Sequence, residues 1–173
     1  MAFLNSAADT VVPLLYLDED TGRMDMYEMM TRQMEALLEE ETWVVPSLAN
    51  ASALLMETLE RINWAGFYLV RDGELKLGPF QGKAACVRIR KGRGVCGTAW
   101  ETDRTQLVPD VHAFPGHIAC DSASRSEIVI PLHRDGEVAG VLDIDSPEKA
   151  RFTEEDRAGL ERFAALLEER ITW

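Results

Sequence analysis

Two Asp-Gly pairs, Asp72-Gly73 and Asp135-Gly136, constrain the fold most strongly. Each lies between two segments of strand character. Trp64–Val70 is followed by Glu74–Pro79, and Glu127–His133 by Val138–Asp145. An Asp-Gly pair between such segments signals a two-residue hairpin, because both turn positions need positive φ. Cys86–Arg90 alternates as a half-buried strand, and Gln106–Val111 reads as another short one. No long crossover helix separates these strands. The expected sheet is therefore antiparallel, with helices packed on one face, an α+β architecture.

The helices are read at the two ends of the chain. From Met24 to about Glu41, Met26, Met29, Met30, Met34, Leu37 and Leu38 follow helical spacing, a Met-rich stripe suited to core or interface packing. Pro46 suits the first turn of a second helix, with Leu48, Ala51, Leu55 and Leu59 on its buried face. A short helix is expected at Thr98–Glu101. A longer one closes the chain, with Thr153-Glu154-Glu155-Asp156 as its capping box and Leu160, Phe163, Ala164, Leu167 and Ile171 as its apolar stripe. Residues 1–21 read as an irregular leader and residues 22–173 as a single domain. A length of 173 residues suits one domain on a prior of about 100–200.

Charge narrows the partners. With 18 basic and 30 acidic residues the net charge is −12. The densest basic run, Arg88, Arg90, Lys91 and Arg93, is short, so neither nucleic acid nor an anionic membrane is an expected partner. No stretch of about 18 apolar residues suggests a membrane span. The first residues lack a basic n-region, and Pro13 breaks their apolar run. The expected location is the cytoplasm, where thiols stay reduced and disulfides tend to be transient.

Three features bear on chemistry. Gly92-Arg93-Gly94-Val95-Cys96-Gly97 has the spacing of a dinucleotide fingerprint. It lacks the long following helix and the acidic residue about 20 positions on, which leaves a glycine turn joining a strand to a short helix. Cys86, Cys96 and Cys120 are the cysteines; Cys96 falls in that turn and Cys120 in a long loop, His112–Ser126. Zinc ligation with His112 or His117 lacks the usual ligand spacing, and a cysteine–histidine hydrolase would draw its pair from distant segments, so redox cycling is the favoured use. The third feature is acidic. Asp143 and Asp145 share one face of a strand, and Glu127 on the partner strand lies almost opposite Asp145, while Leu142 and Ile144 point the other way. Carboxylates that close destabilise one another unless a cation or a proton lies between them, so this end of the sheet suits a cationic ligand or a proton donor. Trp64 and Tyr68 also share a face, where core packing is the default.

The blocks Gly82–Ile89, Gly92–Ala99, Val108–Val111, Phe114–Asp121 and Gly140–Ser146 together resemble the free methionine-R-sulfoxide reductases, which are stand-alone GAF-domain enzymes. The likeness runs from about Met24 to Glu168, with all three cysteines inside matching blocks. It implies a GAF-like sheet with the N- and C-terminal helices on one face and a loop-covered pocket on the other. It also implies Cys120 as nucleophile, Cys86 as resolving thiol and Cys96 as an alternative attacking or resolving thiol. Glu127, Asp143 and Asp145 would form the acidic substrate pocket, and Trp64 and Tyr68 the aromatic wall around the methyl-sulfinyl end. The implied reaction uses no metal or bound organic cofactor. A disulfide forms and is recycled by a dithiol donor, with thioredoxin the expected partner, and a homodimer through the Met-rich helix fits the family. The rival reading is a non-enzymatic GAF module that senses a small molecule or redox state.

Overall fold

The computed structural model describes residues 25–116 and 122–173. The expected leader, 1–21, and the expected nucleophile Cys120 lie outside the described residues. The elements run α1 (Met26–Glu40), α2 (Val44–Thr58), β1 (Trp64–Arg71), β2 (Glu74–Gly82), β3 (Arg88–Ile89), α3 (Gly94–Thr102), β4 (Gln106–Val108), β5 (Ser126–Arg134), β6 (Glu137–Ser146) and α4 (Glu154–Arg170). The strands form one antiparallel sheet in the order β3-β2-β1-β6-β5-β4. Both Asp-Gly turns fold as expected: φ is +53° and +76° at Asp72 and Gly73, and +54° and +80° at Asp135 and Gly136.

Alternation along the strands gives the sheet two different faces. On one, Ala65, Phe67, Ile128, Ile130, Leu132, Leu142 and Ile144 join the helices in the main core. Helix α2 lies over β1 and β2, α4 over β5, and α1 packs against both helices. Met30 and Met34 are fully buried in this layer. Met30, Met34 and Leu38 of the stripe thus belong to the monomer's own core, while Met26 and Met29 are half-buried and Leu37 is exposed. Thioether side chains suit the site because they bend to fill an irregular three-helix gap.

Helix α4 begins with the expected capping box, with Asp156 serving at the third position. The same carboxylate accepts the Tyr27 hydroxyl proton and pairs with Arg151. Burial pushes the Asp156 pKa up, but hydrogen bonds from Tyr27, Thr153 and Arg151 outweigh it, so the group stays below the usual carboxylate range. Tyr27 thus pins α1 onto the start of α4.

On the opposite face Trp64, Tyr68, Leu75, Ile89, Val95, Cys96, Ala99, Val108, Val111, Val129 and Val141 form a second, smaller core. Helix α3 covers it. This helix runs Gly94–Thr102, longer than the expected Thr98–Glu101, and the strand expected over Cys86–Arg90 shrinks to Arg88–Ile89. The cause is the glycine segment. Gly92 and Gly94 adopt φ of +73° and +63°, and a Cβ on Gly97 would lie 2.4 Å from the Arg90 carbonyl oxygen. The chain folds back tightly enough for the Gly92 amide to donate to the Gly97 carbonyl at 2.8 Å, and the helix starts early.

Gly159 on α4 meets the Tyr27 ring, and an added Cβ would sit 2.2 Å from Tyr27 Cγ. In an exposed helix Gly→Ala gains about 1 kcal/mol. Here overpacking costs about 1–3 kcal/mol and wins. Gly159→Ala is expected to lower the urea midpoint; a raised midpoint would contradict the wedge.

Candidate active site

The hairpin register builds the site. Glu127 pairs with Asp145 and Val129 with Asp143 between β5 and β6. Between β6 and β1, Asp145 pairs with Trp64, Asp143 with Gly66 and Val141 with Tyr68. Side chains of paired residues share a face. Trp64, Tyr68, Glu127, Asp143 and Asp145 are therefore brought together on the face away from the three-helix layer. Asp145 is half-buried at the end of the strand, while Glu127 and Asp143 are each 6% exposed.

Cys96 enters from above. It lies not in the glycine turn but in the first turn of α3, on the buried face with Val95 and Ala99. Its thiol reaches 3.9 Å from Glu127 Oε1. One donor atom each from Cys96, Glu127 and Asp143 lies within 4.8 Å of the others, the one group of three such ligand-type residues close enough to hold a metal ion among the described residues. A metal would need the thiol and both carboxyls ionised. The environment favours protons. Burial, then the Asp143 charge, pushes the Cys96 thiol well above its usual range. Burial and then Asp143 also push Glu127 well above the usual carboxylate range. Asp143 is pushed up to about 6 by burial, restrained by hydrogen bonds from Cys96 and Glu127. Both carboxyls are thus held toward the protonated form, Glu127 more strongly than Asp143. Tyr68 is held neutral beside them, by burial first and the Asp143 charge second.

Asp143 also has Oδ1 buried without a hydrogen-bond partner among the described residues. An unmade bond of this kind costs about 1–3 kcal/mol, so the atom is an acceptor directed at a ligand or water.

The aromatic wall is larger than the sequence suggested. Trp64 stacks on Phe80 with ring centroids 5.3 Å apart at 14°, and on Tyr68 at 6.0 Å and 24°. Phe80 was missed, although its register partner is Gly66, and an aromatic beside a strand glycine is a recognisable pairing. The Trp64 indole N–H donates to the Lys83 carbonyl at 3.0 Å, which fixes the ring. Gly66 was missed too. A Cβ there would lie 2.3 Å from Phe80 Cβ and 2.7 Å from Trp64 Cη2.

Cys86 is half-buried, packs at the edge of the smaller core and is engaged in a disulfide, whereas Cys96 is a free thiol. The chain on either side of residues 117–121 is anchored. Asp110 caps the 3-10 turn Val111–Ala113, the Val111 amide donates to the Arg125 carbonyl at 2.9 Å, and the Arg125 amide donates to the Ser146 carbonyl at 2.7 Å. Asn63 donates to the Ser124 hydroxyl at 3.1 Å. Among the described residues no helix is long and apolar enough to cross a membrane.

Gly66→Ala is expected to displace Trp64 and Phe80. Near-UV circular dichroism should lose the signal of the stacked pair while far-UV dichroism is retained; an unchanged near-UV spectrum would contradict the close packing.

A GAF domain family model matches residues 45–171. The free methionine-R-sulfoxide reductase of Escherichia coli is 55% identical over 147 residues, covering 85% of this chain and 89% of that protein. The protein of the same name from Saccharomyces cerevisiae is 44% identical over 154 residues, covering 84% of this chain and 86% of that protein. The X-ray structure of free methionine-R-sulfoxide reductase from Neisseria meningitidis in complex with its substrate superposes with a TM-score of 0.82 at 48% identity, covering 86% of this chain and 91% of that one. With its pocket acids and aromatic wall set on this sheet, the chain belongs to the free methionine-R-sulfoxide reductase family of GAF-domain proteins.

Proposed function

We propose that the protein reduces free L-methionine (R)-S-oxide to methionine through a cysteine thiol cycle recycled by thioredoxin in the cytoplasm. The observation that carries this reading is the buried Glu127–Asp143 pair beside an aromatic wall. A sulfoxide sulfur accepts a thiolate readily only when its oxygen is protonated, so it needs a proton donor beside it. Burial keeps the Glu127 carboxyl protonated and so able to donate, with Asp143 as the counter-charge that holds the proton there. The Trp64, Tyr68 and Phe80 rings offer an apolar wall for the methyl group. The ammonium of a free amino acid is the cation the acidic end of the sheet suits, and Asp143 Oδ1 is a buried acceptor there.

In this reading the Cys120 thiolate attacks the substrate sulfur as the sulfinyl oxygen takes a proton, that hydroxyl passes to Cys120, and methionine departs with the electron pair, leaving Cys120 as a sulfenic acid. The Cys86 thiol condenses with it, forming the disulfide and releasing water. A dithiol donor then reduces that bond and is itself oxidised. Cys96 does not act as the attacking thiolate, because burial and Asp143 hold it protonated. It serves instead as a hydrogen-bond donor that positions Glu127.

The direct test is NADPH oxidation coupled through thioredoxin reductase and thioredoxin. Turnover is expected with the free R-sulfoxide and not with the S form or a peptide-bound sulfoxide; binding without consumption would instead mark a sensor module. Cys120→Ser should abolish turnover, while Cys86→Ser should allow about one turnover per chain. Glu127→Gln should lower kcat by about 10²–10⁴-fold, the usual worth of a general acid.

The pH dependence follows from the raised carboxyls. Activity falls as pH rises through the apparent pKa of the coupled pair. Asp143→Asn removes the charge that helps hold the Glu127 proton, so the alkaline limb should move to lower pH. A limb that stays fixed or moves up would assign the proton elsewhere.

A further inference from the structure

Five of the 18 Lys and Arg residues (Lys83, Arg88, Arg90, Lys91 and Arg93) fall within residues 83–93, a stretch with no Asp or Glu in a chain of net charge −12. All five are exposed. Among them lies Val87, 67% exposed and the most exposed large hydrophobic among the described residues. Val87 directly follows Cys86, the disulfide-bonded cysteine. The Val87 carbonyl accepts from the Leu77 amide at 3.1 Å and Ile89 is buried beneath, so backbone bonds fix the segment with the Val87 side chain in solvent. Strand β3 is the edge of the sheet. Lys91 lies over the Trp100 ring at 5.2 Å, which adds an aromatic side chain to the same surface. The Glu101 carboxylate lies beside Gly92 and is the nearest acid that α3 brings to the segment.

We propose that this basic rim around Val87 is the docking surface for the dithiol protein that reduces the Cys86 disulfide, a partner presenting an apolar patch edged with carboxylates. The proposal rests on the thiol cycle above. An exposed apolar centre inside a polar, charged rim is the anatomy of a transient interface, and a rim charge opposite to the net charge of the chain steers an acidic partner to one edge. The partner's thiolate attacks Cys86 Sγ, forms a mixed disulfide and expels Cys120 as thiolate. The partner's second thiol then attacks its own sulfur in the mixed bond and releases Cys86. Two electrons pass from the partner's dithiol to the disulfide.

The test compares two reductants on the full chain, thioredoxin with its reductase and NADPH, and dithiothreitol. Arg88→Glu/Arg90→Glu should raise the KM for thioredoxin at least tenfold and flatten its dependence on salt, with dithiothreitol-driven kcat unchanged. Val87→Ser, which changes no charge, should raise the same KM several-fold. An unmoved thioredoxin KM in both variants overturns the proposal. So does loss, in the charge-reversed variant, of duplex-DNA binding or of dimers in sedimentation while KM holds, because the patch would then serve nucleic acid or a second copy. No turnover of the unaltered protein with dithiothreitol overturns the thiol cycle itself, and the docking surface with it.

Discussion

Glu127 and Asp143 are taken out of water side by side, and two carboxylates so placed cannot both stay charged. At an effective dielectric constant near 20, like charges about 4 Å apart repel by about 4 kcal/mol. Desolvation acts in the same direction. The pair eases the conflict by holding a proton more tightly than free carboxyls do. The Cys96 thiol supplies a further donor to Glu127, and Tyr68 stays neutral beside it. Holding that proton has a thermodynamic cost. Both carboxyls lie above their unfolded values, so their contribution to stability falls as pH rises from about 4 through the folded pKa values.

Such a pair is tolerated because the surrounding scaffold is stiff. Three helices pack over one face of the sheet, and the Tyr27–Asp156–Arg151 network locks the first helix to the last. Two hairpin turns fix the strand register, and register alone decides that the acids and the aromatics share a face, since a slip of one residue would turn every one of them inward. Glycines then bring parts of the site closer than side chains allow. Gly66 lets Phe80 and Trp64 stack, and Gly97 lets α3 start early enough to carry Cys96 over the acids.

Features governed by local rules were legible in the chain. Asp72-Gly73 and Asp135-Gly136 announced both hairpins, Thr153 announced the start of α4, and the alternation of Leu142, Asp143, Ile144 and Asp145 separated the helix-covered face of the sheet from the other. The opposition of Glu127 and Asp145 followed from the turn position alone. What was not legible depends on contacts between distant segments. Cys96 was placed in a turn because glycines usually break helices; here Gly97 is tolerated because the Arg90–Gly92 backbone packs against it, and Gly94 opens the helix at a positive φ. Phe80 and Gly66 escaped notice because neither carries chemistry by itself, and their meaning arises only in the β1–β2 register. The Met stripe could serve core or interface equally well, and only the position of α1 over α2 and α4 showed that Met30 and Met34 enter the core. The roles of Cys86, Cys96 and Cys120 came from family resemblance, because cysteine spacing does not encode which thiol attacks.

The state of the buried proton is the quantity on which the account stands. Infrared difference spectroscopy of the reduced protein at neutral pH, with ¹³C-labelled glutamate, reads it directly. The account predicts a protonated carboxyl band that shifts with the label, disappears in Glu127→Gln and persists at pH values where ordinary glutamates are ionised. A spectrum with only ionised glutamate carboxylates at neutral pH would contradict it.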